Sequence, residues 1–182
     1  MSILSLKTVT PDEVVSRISD VTPESLRKRG VDGLISDLDN TLVPWKSHEI
    51  SDEVFAWLDA MKSAGIGVVL ASNTIHPKRL KRIAERMGIP YAPGVRKPWP
   101  RGYRRSMEIL GTTPANTAML GDQIFTDIMG ANALGIRTIL LRPPLARREF
   151  LWTVFVRQIE KLLVAYLTRT GRWPERDAAT TP

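Results

Sequence analysis

Short apolar runs alternate along this chain with amphipathic stretches of helical period. Five of these runs are short enough for buried strands, and they span Val31 to Ile35, Ile66 to Ala71, Ile89 to Ala92, Thr117 to Leu120 and Ile136 to Leu141. The stretches between them begin at proline or capping residues and end at glycine, which is typical of helices. This alternation predicts an α/β fold, with a doubly wound, mainly parallel five-stranded sheet and helices on both faces.

Polar and charged side chains follow four of the five runs. In chain order they are Asp37 and Asp39, Ser72, Lys97, and Asp122 with Asp127. Ligands of open α/β sheets bind at the carboxyl ends of the strands, so we expect these side chains to meet at one edge of the sheet. Because Asp37 and Asp39 are two residues apart on one strand end, both carboxylates should reach the same side.

The chemistry of this set points to phosphoryl transfer. The chain has no cysteine and only two, distant histidines, so a carboxylate cluster here favours Mg²⁺. Asp37 is then a competent nucleophile toward phosphorus, and Asp39 could protonate the leaving oxygen and later activate water. Ser72 and backbone N–H groups would hold phosphoryl oxygens, while Lys97 would offset the negative charge.

Each of these features alone has a plainer interpretation. Acid pairs at strand ends are common in turns and helix caps, Ser72 could begin a helix, and Lys97 could be a surface lysine. Their occurrence at successive strand ends favours a shared site.

Charge is divided unevenly along the chain. Residues 1–75 carry 7 Lys and Arg against 11 Asp and Glu, whereas residues 76–182 carry 19 against 8. The basic part favours an anionic partner such as a phosphate ester, a lipid headgroup or a nucleic acid, although a solvated basic surface explains the charge equally well. Nucleic acid is disfavoured because the most basic helix, 78–87, lacks interleaved aromatic residues.

The length of 182 residues favours a single domain. We divide it into a helical lead-in over 1–30, whose first helix should run from Thr10 to about Ile18, a catalytic core over 31–142, a C-terminal amphipathic helix over 146–168 and a frayed tail over 171–182. No stretch reaches the roughly 18 apolar residues of a membrane span, so we expect a cytoplasmic protein.

The predicted C-terminal helix leaves three alternatives open. Phe150, Trp152 and Phe155 lie near its start, with arginines beside them. Such a helix could lie on an anionic membrane surface, cover the sheet, or form a dimer interface.

Four motifs of the chain together resemble a known family. They are Asp37-Leu38-Asp39-Asn40-Thr41, Ser72-Asn73, Lys97-Pro98 and Gly121-Asp122-Gln123-Ile124-Phe125-Thr126-Asp127. They look like motifs I to IV of the haloacid dehalogenase superfamily of phosphatases, over residues 31–142. Within that superfamily the chain most resembles the small subclass IIIA phosphatases of the YqeG type, which are similar to phosphatidylglycerophosphate phosphatases.

This resemblance implies a Mg²⁺-dependent phosphatase that works through an aspartyl-phosphate intermediate. Asp37 would be the nucleophile and a metal ligand, and Asp39 the general acid and base, with its backbone carbonyl on the metal. The remaining implied roles are metal binding for Asp122, phosphate binding for Ser72, Asn73 and Lys97, and a second-shell or water-mediated metal contact for Asp127.

The spacing of the motifs also bears on the substrate. Superfamily members usually carry a cap domain after motif I or between motifs II and III. Here 30 residues separate Thr41 from Ser72, and 24 separate Ser72 from Lys97, which is room for one helix and one strand each. We therefore expect a capless, open site that suits a large or surface-presented substrate.

Phosphatidylglycerophosphate is the best substrate candidate by resemblance. A soluble nucleotide, sugar or protein phosphate is the alternative for an enzyme. Outside enzymes, the alternative is a receiver-like module or a module that binds phosphate or nucleic acid without catalysis.

Overall fold

Five parallel strands form the sheet of this protein. The computed structural model describes residues 6–143 and 151–174, with the backbone alone at 151–155. The strands are β1 (Glu13–Val15), β2 (Gly33–Ser36), β3 (Gly67–Leu70), β4 (Thr117–Gly121) and β5 (Arg137–Leu141). Their order across the sheet is β1-β5-β4-β2-β3, and every pair is parallel.

Strand β2 lies between β3 and β4, and its end defines the site. Ser36, its last residue, is level with Leu70 of β3 and Leu120 of β4. The chain leaves β3 and crosses β2 to enter the sheet again as β4, so the connections diverge on the two sides of β2. In a parallel sheet such a divergence opens a crevice at the carboxyl ends of the strands.

Six α-helices accompany the sheet in the part of the chain that the structure describes. They are α1 (Pro23–Lys28), α2 (Asp52–Ser63), α3 (Pro77–Met87), α4 (Pro100–Leu110), α5 (Met129–Asn132) and α6 (Leu151–Arg169). A π-helical turn, Ile124–Ile128, runs directly into α5. The helix boundaries follow local signals: the Ser51 hydroxyl accepts the Val54 N–H at the start of α2, and α3 and α4 end at Gly88 and Gly111, which adopt positive φ.

The core has two apolar layers, because successive residues of β2 point to opposite faces. Leu34 belongs to a buried cluster with Trp57 of α2 and Ile83 of α3. Ile35, its neighbour, belongs to a second cluster with Tyr103 of α4 and Ala131 of α5. Helices therefore cover both faces, and the predicted doubly wound α/β fold is confirmed.

The N-terminal segment differs from the prediction. The helix expected from Thr10 to about Ile18 is wrong, because Glu13–Val15 forms the edge strand β1 against β5. The Asp12 carboxylate accepts the Thr138 N–H at 2.8 Å. This pairing joins residues 126 positions apart, and local helix signals carry no information about it.

The strand predicted at Ile89 to Ala92 is reduced to a single bridge. Tyr91 lies parallel to Leu70 of β3, with the Leu70 N–H donating to the Pro90 carbonyl at 3.0 Å. Pro90 and Pro93 have no N–H to donate, which prevents a longer ladder. The bridge still fixes the chain beside β3, upstream of Lys97.

The spaces between the motifs contain no inserted domain. Residues 42–71 form α2 and β3, and residues 73–96 form α3 and the bridge, as expected for a capless chain. Helix α6 begins at Leu151, and the part of the predicted helix at 146–150 lies outside the described residues, as does most of the predicted tail. The division into lead-in, core, helix and tail stays a prediction. None of the helices in the described ranges has the length and apolar character to span a bilayer.

Candidate active site

A buried charged cluster lies where β2 ends. Asp37 is the first residue after β2, and its Oδ1 lies 2.5 Å from the Nζ atom of Lys97. The same Nζ atom lies 2.7 Å from Oδ1 of Asp127. All three residues are buried, so Lys97 is a cation shared between two carboxylates away from bulk water.

Asp122 completes a group of three carboxylates. Oxygen atoms of Asp37, Asp122 and Asp127 lie within 4.8 Å of one another. Oδ1 of Asp122 is buried and has no hydrogen-bond partner in the described part of the chain. Buried carboxylate oxygens are normally satisfied, and oxygen ligands suit a hard divalent cation. The residues therefore fit a metal ion, and the cluster could bind one.

The cluster shifts the pKa values of its members. Burial raises the pKa of Asp37 to about 7; the nearby Lys97 lowers it and the Asp127 carboxylate raises it. Burial also raises the pKa of Asp122 well above its usual range, assisted by the charge of Asp37 and opposed by Arg157. Burial opposes the charge on Lys97, but Asp127 and Asp37 outweigh it and raise the pKa of that lysine. Without a metal, the site thus favours protonated carboxyl groups.

We predict that the metal-free protein loses stability as the pH rises. Asp37 binds a proton in the folded state at pH values where the unfolded chain has released it, so the free energy of unfolding falls between about pH 4 and pH 7, and the raised pKa of Asp122 acts in the same direction. Thermal unfolding in EDTA should therefore give a lower Tm at pH 8 than at pH 5. The dependence should be weaker in Asp122→Asn, and a Tm that rises over this interval in the native chain would contradict the assignment.

Asp39 faces a different partner. Arg79 of α3 binds its carboxylate with both terminal nitrogens, at 3.0 Å and 2.9 Å, and also donates to the Ser47 carbonyl. The Lys46 N–H donates to Asp39 Oδ1 at 3.0 Å. The Asp39 carboxylate is thus separate from the three-carboxylate cluster and is held in the wall of the cleft.

Ser72 and Asn73 follow β3 and lie beside Asp37 in the same cleft. Ser72 is buried. The Asn73 side chain donates to the Lys97 carbonyl at 2.9 Å and accepts the Lys97 N–H at 2.6 Å. It therefore positions the segment that carries Lys97, and its predicted part in phosphate binding stays a prediction.

The turn after β4 positions Asp127. Its Oδ2 atom accepts the Gln123 N–H at 3.1 Å. The Tyr103 hydroxyl of α4 donates to the carbonyls of Thr126 and Asp127, at 2.5 and 3.3 Å. A Cβ atom at Gly121 would collide with the Asp127 carboxylate, so only glycine allows this approach.

Helix α6 reaches the site from the C-terminal part of the chain. Arg157 donates to the Asp122 carboxylate and, at 3.1 Å, to the Asp122 carbonyl. Glu160, which is fully buried, accepts the N–H groups of Ile124 and Phe125 at 2.6 and 3.3 Å. Burial raises the pKa of Glu160, while Arg157 and Arg142 lower it. One turn of α6 thus holds both Asp122 and the start of the π-helical turn.

The cluster opens into a cleft of about 350 Å³. Asp37, Asp39 and Ser72 line it, together with the half-buried ring of Trp45. Ile75 also lines the cleft and is 86% exposed, and Trp99, two residues beyond Lys97, is 70% exposed. The rim of the cleft therefore presents the large apolar side chain of Ile75 to solvent.

A family model for haloacid dehalogenase-like hydrolases matches residues 24–135, which include all four motifs. The chain belongs to this family. A probable phosphatase, YqeG of Bacillus subtilis, is 37% identical over 167 residues, which cover 91% of this chain and 96% of that protein. Membership in the hydrolase family and this relative confirm the predicted phosphatase class.

Two further similarities concern a lipid phosphatase and the fold. The phosphatidylglycerophosphate phosphatase 1 of Arabidopsis thaliana is 29% identical over 88% of this chain, but the match spans only 48% of that protein. The cobalt-bound deoxy-D-mannose-octulosonate 8-phosphate phosphatase of Haemophilus influenzae has a TM-score of 0.51 and 17% identity over 79% of this chain and 91% of its own. An uncharacterized Listeria monocytogenes protein has a TM-score of 0.52 and 22% identity, with 73% of this chain and 98% of that chain covered. These two structures support the haloacid dehalogenase fold.

Three residues of this family member are missed by the sequence reading. Arg79 is predicted there only as part of the basic helix 78–87, and Arg157 and Glu160 are given no role. The sequence does contain a pattern that could have identified Glu160, because this acid lies in an apolar helix three residues after an arginine. That spacing predicts a pair on one helix face, although not its partner across the fold.

Proposed function

We propose that this protein is a Mg²⁺-dependent phosphatase that hydrolyses a phosphomonoester through an aspartyl-phosphate at Asp37, and that its substrate is phosphatidylglycerophosphate. The observation that carries the proposal is the position of Asp37: it lines an open cleft, is held by Lys97, and lies within a three-carboxylate cluster. This combination suits attack on an anionic phosphoryl group.

Asp37, Asp122 and Asp127 are the residues that would hold the metal, with the Asp39 carbonyl as a further oxygen donor. Bound there, Mg²⁺ would neutralise charge between the attacking carboxylate and the phosphoryl oxygens. The shared position of Lys97 provides a second, permanent positive charge at the nucleophile. The Ser72 hydroxyl is available to donate to a phosphoryl oxygen, because it lines the cleft beside Asp37.

The reaction proceeds in two displacements. A carboxylate oxygen of Asp37 attacks phosphorus and the bond from phosphorus to the ester oxygen breaks; the leaving oxygen takes a proton from Asp39. Water then attacks the phosphorus of the aspartyl-phosphate and gives a proton back to Asp39. The bond from phosphorus to Asp37 breaks, which releases orthophosphate and restores the carboxylate.

Arg79 holds the Asp39 carboxylate in place before the reaction. It binds both carboxylate oxygens and is itself fixed by the Ser47 carbonyl. This two-point contact orients the carboxylate in the wall of the cleft. Rotation out of the contact is required for Asp39 to reach the leaving oxygen.

Several features support a lipid substrate. The described segments between the motifs, 42–71 and 73–96, contain no inserted domain, and the exposed Ile75 and Trp99 are close in sequence to Ser72 and Lys97. Helix α6 packs Leu163, Val164 and the fully buried Leu167 on the core, as one of the alternatives for this helix requires. Its outer face carries another apolar row, formed by Ile159, Leu162 and Tyr166. An apolar face next to basic side chains is suited to a lipid surface. The similarity to a plant phosphatidylglycerophosphate phosphatase agrees with this substrate.

Phosphate release from phosphatidylglycerophosphate in mixed micelles tests the proposal. We expect turnover with Mg²⁺, none in EDTA, and a kcat/KM at least about tenfold above that for nucleotide and sugar monophosphates, since the lipid adds binding at the apolar rim. Efficient turnover of a soluble monophosphate without turnover of the lipid would support the phosphatase activity but exclude phosphatidylglycerophosphate as the substrate. Equal turnover in EDTA and in Mg²⁺ would contradict the proposed metal dependence.

A further inference from the structure

A second groove lies beside the catalytic cleft, between the loop after β2 and the first turns of α3. Its volume is about 430 Å³. The residues that line it, called here the basic groove, are Lys46, His48, His76, Lys78, Arg79 and Arg82. Among the described residues no acidic side chain lines this groove, so it is a site of concentrated positive potential.

The basic groove is continuous with the catalytic cleft. Lys46, His76 and Arg79 line both cavities, while Asp37 and Ser72 lie only in the cleft. A substrate whose phosphomonoester reaches Asp37 can therefore extend its leaving group over the shared wall and into the groove.

The cations of the groove are not equally available. Arg79 is already bound to Asp39 and to the Ser47 carbonyl, and the Lys46 ammonium lies 4.3 Å from the centre of the Trp45 ring. Lys78 and Arg82 are exposed, lie one turn apart on α3, and form no ion pair within the described ranges. These two side chains are positioned to meet an anion from solvent.

A neighbouring lysine of the same helix shows the contrast. Lys81 does not line the groove, and its ammonium lies 3.7 Å from the Glu85 carboxylate. Positive charge without a local counter-charge is thus concentrated on the side of α3 that faces the cleft.

We propose that the basic groove is a second anion subsite, which binds a phosphate or phosphodiester carried by the leaving group of the substrate through Lys78 and Arg82. This inference rests on the proposed phosphatase function and adds a substrate preference to it. The enzyme selects phosphomonoesters that carry a second phosphate over those that carry one. The bound group is part of the substrate rather than free orthophosphate.

The test compares two soluble substrates, which removes any effect of a lipid surface. Glycerol 3-phosphate has one phosphate, and glycerophosphoglycerophosphate has a phosphomonoester and a phosphodiester. In K78Q/R82Q we expect kcat/KM for the second compound to fall at least about tenfold, because two phosphate contacts are lost, and kcat/KM for glycerol 3-phosphate to change less than about twofold. K81Q should change neither value. An equal loss on both substrates, or no loss on either, would overturn the subsite.

Ligand binding to the inactive Asp37→Asn variant tests the subsite independently of turnover. Two proteins are titrated calorimetrically with glycerophosphoglycerophosphate, the Asp37→Asn variant and the triple variant that also carries K78Q and R82Q. The Kd of the triple variant should be at least about tenfold higher. The same increase for orthophosphate would show a site for free phosphate and overturn the proposal. If the native chain hydrolyses neither compound nor any other phosphomonoester with Mg²⁺, the phosphatase function fails while this titration still tests the groove.

Discussion

Replacing Asp37 with asparagine should lower kcat by at least about 10⁴-fold and, at pH 8 without metal, make the folded protein more stable. The amide keeps the shape of the side chain but cannot form the phosphorylated intermediate. The other two carboxylates of the cluster are engaged elsewhere, Asp127 with Lys97 and Asp122 with Arg157. Phosphate release and thermal unfolding in EDTA measure the two effects.

The gain in stability follows from the pKa of Asp37. Burial raises that pKa to about 7, so at pH 8 the folded state holds a charge that is disfavoured beside Asp127. Asparagine removes the charge, and Lys97 keeps Asp127 as its partner. We expect the Tm to rise by about 2–6 °C, since 1 kcal/mol corresponds to about 2–4 °C for a chain of this size. At pH 5 Asp37 is protonated, and the gain should disappear.

Asp39→Asn is the matched control for this prediction. It should also lower kcat, because proton transfer is lost, but it removes a carboxylate that is paired with Arg79 on both oxygens. It should therefore lower the Tm at pH 8. Residual turnover of Asp37→Asn above about 1% of the native value, or a lower Tm in EDTA at pH 8, would show that the nucleophile or its environment is misassigned.

Residues that follow buried strands could be placed from the sequence. Asp37, Ser72 and Asp122 lie one or two residues beyond apolar runs, and in a parallel sheet the run itself determines the edge where each side chain emerges. Lys97 could be placed because the preceding segment, although only a single bridge, still lies beside β3. These parts of the site depend on local pattern and a general rule of sheet topology.

The parts that the sequence could not predict all depend on contacts across the fold. Strand β1 has only three residues, and its partner in β5 is more than a hundred residues away. The contacts of Arg157 with Asp122 and of Arg79 with Asp39 join a helix to a strand end over 35 and 40 residues. Nothing in the periodicity of α3 or α6 indicates which polar residue turns inward. For the same reason, the packing of the last helix on the core could not be predicted from its sequence.

Arg157→Ala should destabilise the metal-free protein and make its stability depend more strongly on Mg²⁺. The Arg157 side chain is 13% exposed and pairs with Asp122, whose side chain is fully buried. Removing one partner of a buried ion pair costs about 3–5 kcal/mol, and here about 3 kcal/mol is expected because Asp122 can take up a proton. This corresponds to a Tm lower by about 6–12 °C in EDTA.

Mg²⁺ should restore more of this loss than it adds to the native chain. A cation at Asp122 replaces the missing positive charge, so the increase in Tm from EDTA to saturating Mg²⁺ should be larger in Arg157→Ala than in the native protein. Arg157→Lys keeps the charge but not the second donor to the Asp122 carbonyl, and it should give an intermediate increase. Lys161→Ala, on an exposed position of the same helix, should leave both Tm values unchanged.

The comparison of the two Tm values separates an electrostatic role of Arg157 from a packing role. If Arg157 only fills space between α6 and the turn after β4, its removal lowers the Tm equally with and without Mg²⁺. If it balances the charge of the carboxylate cluster, the loss is large in EDTA and small in Mg²⁺, because either cation can satisfy Asp122. An equal loss under both conditions would therefore contradict the charge-balancing role, whereas the predicted difference would make α6 a functional part of the active site.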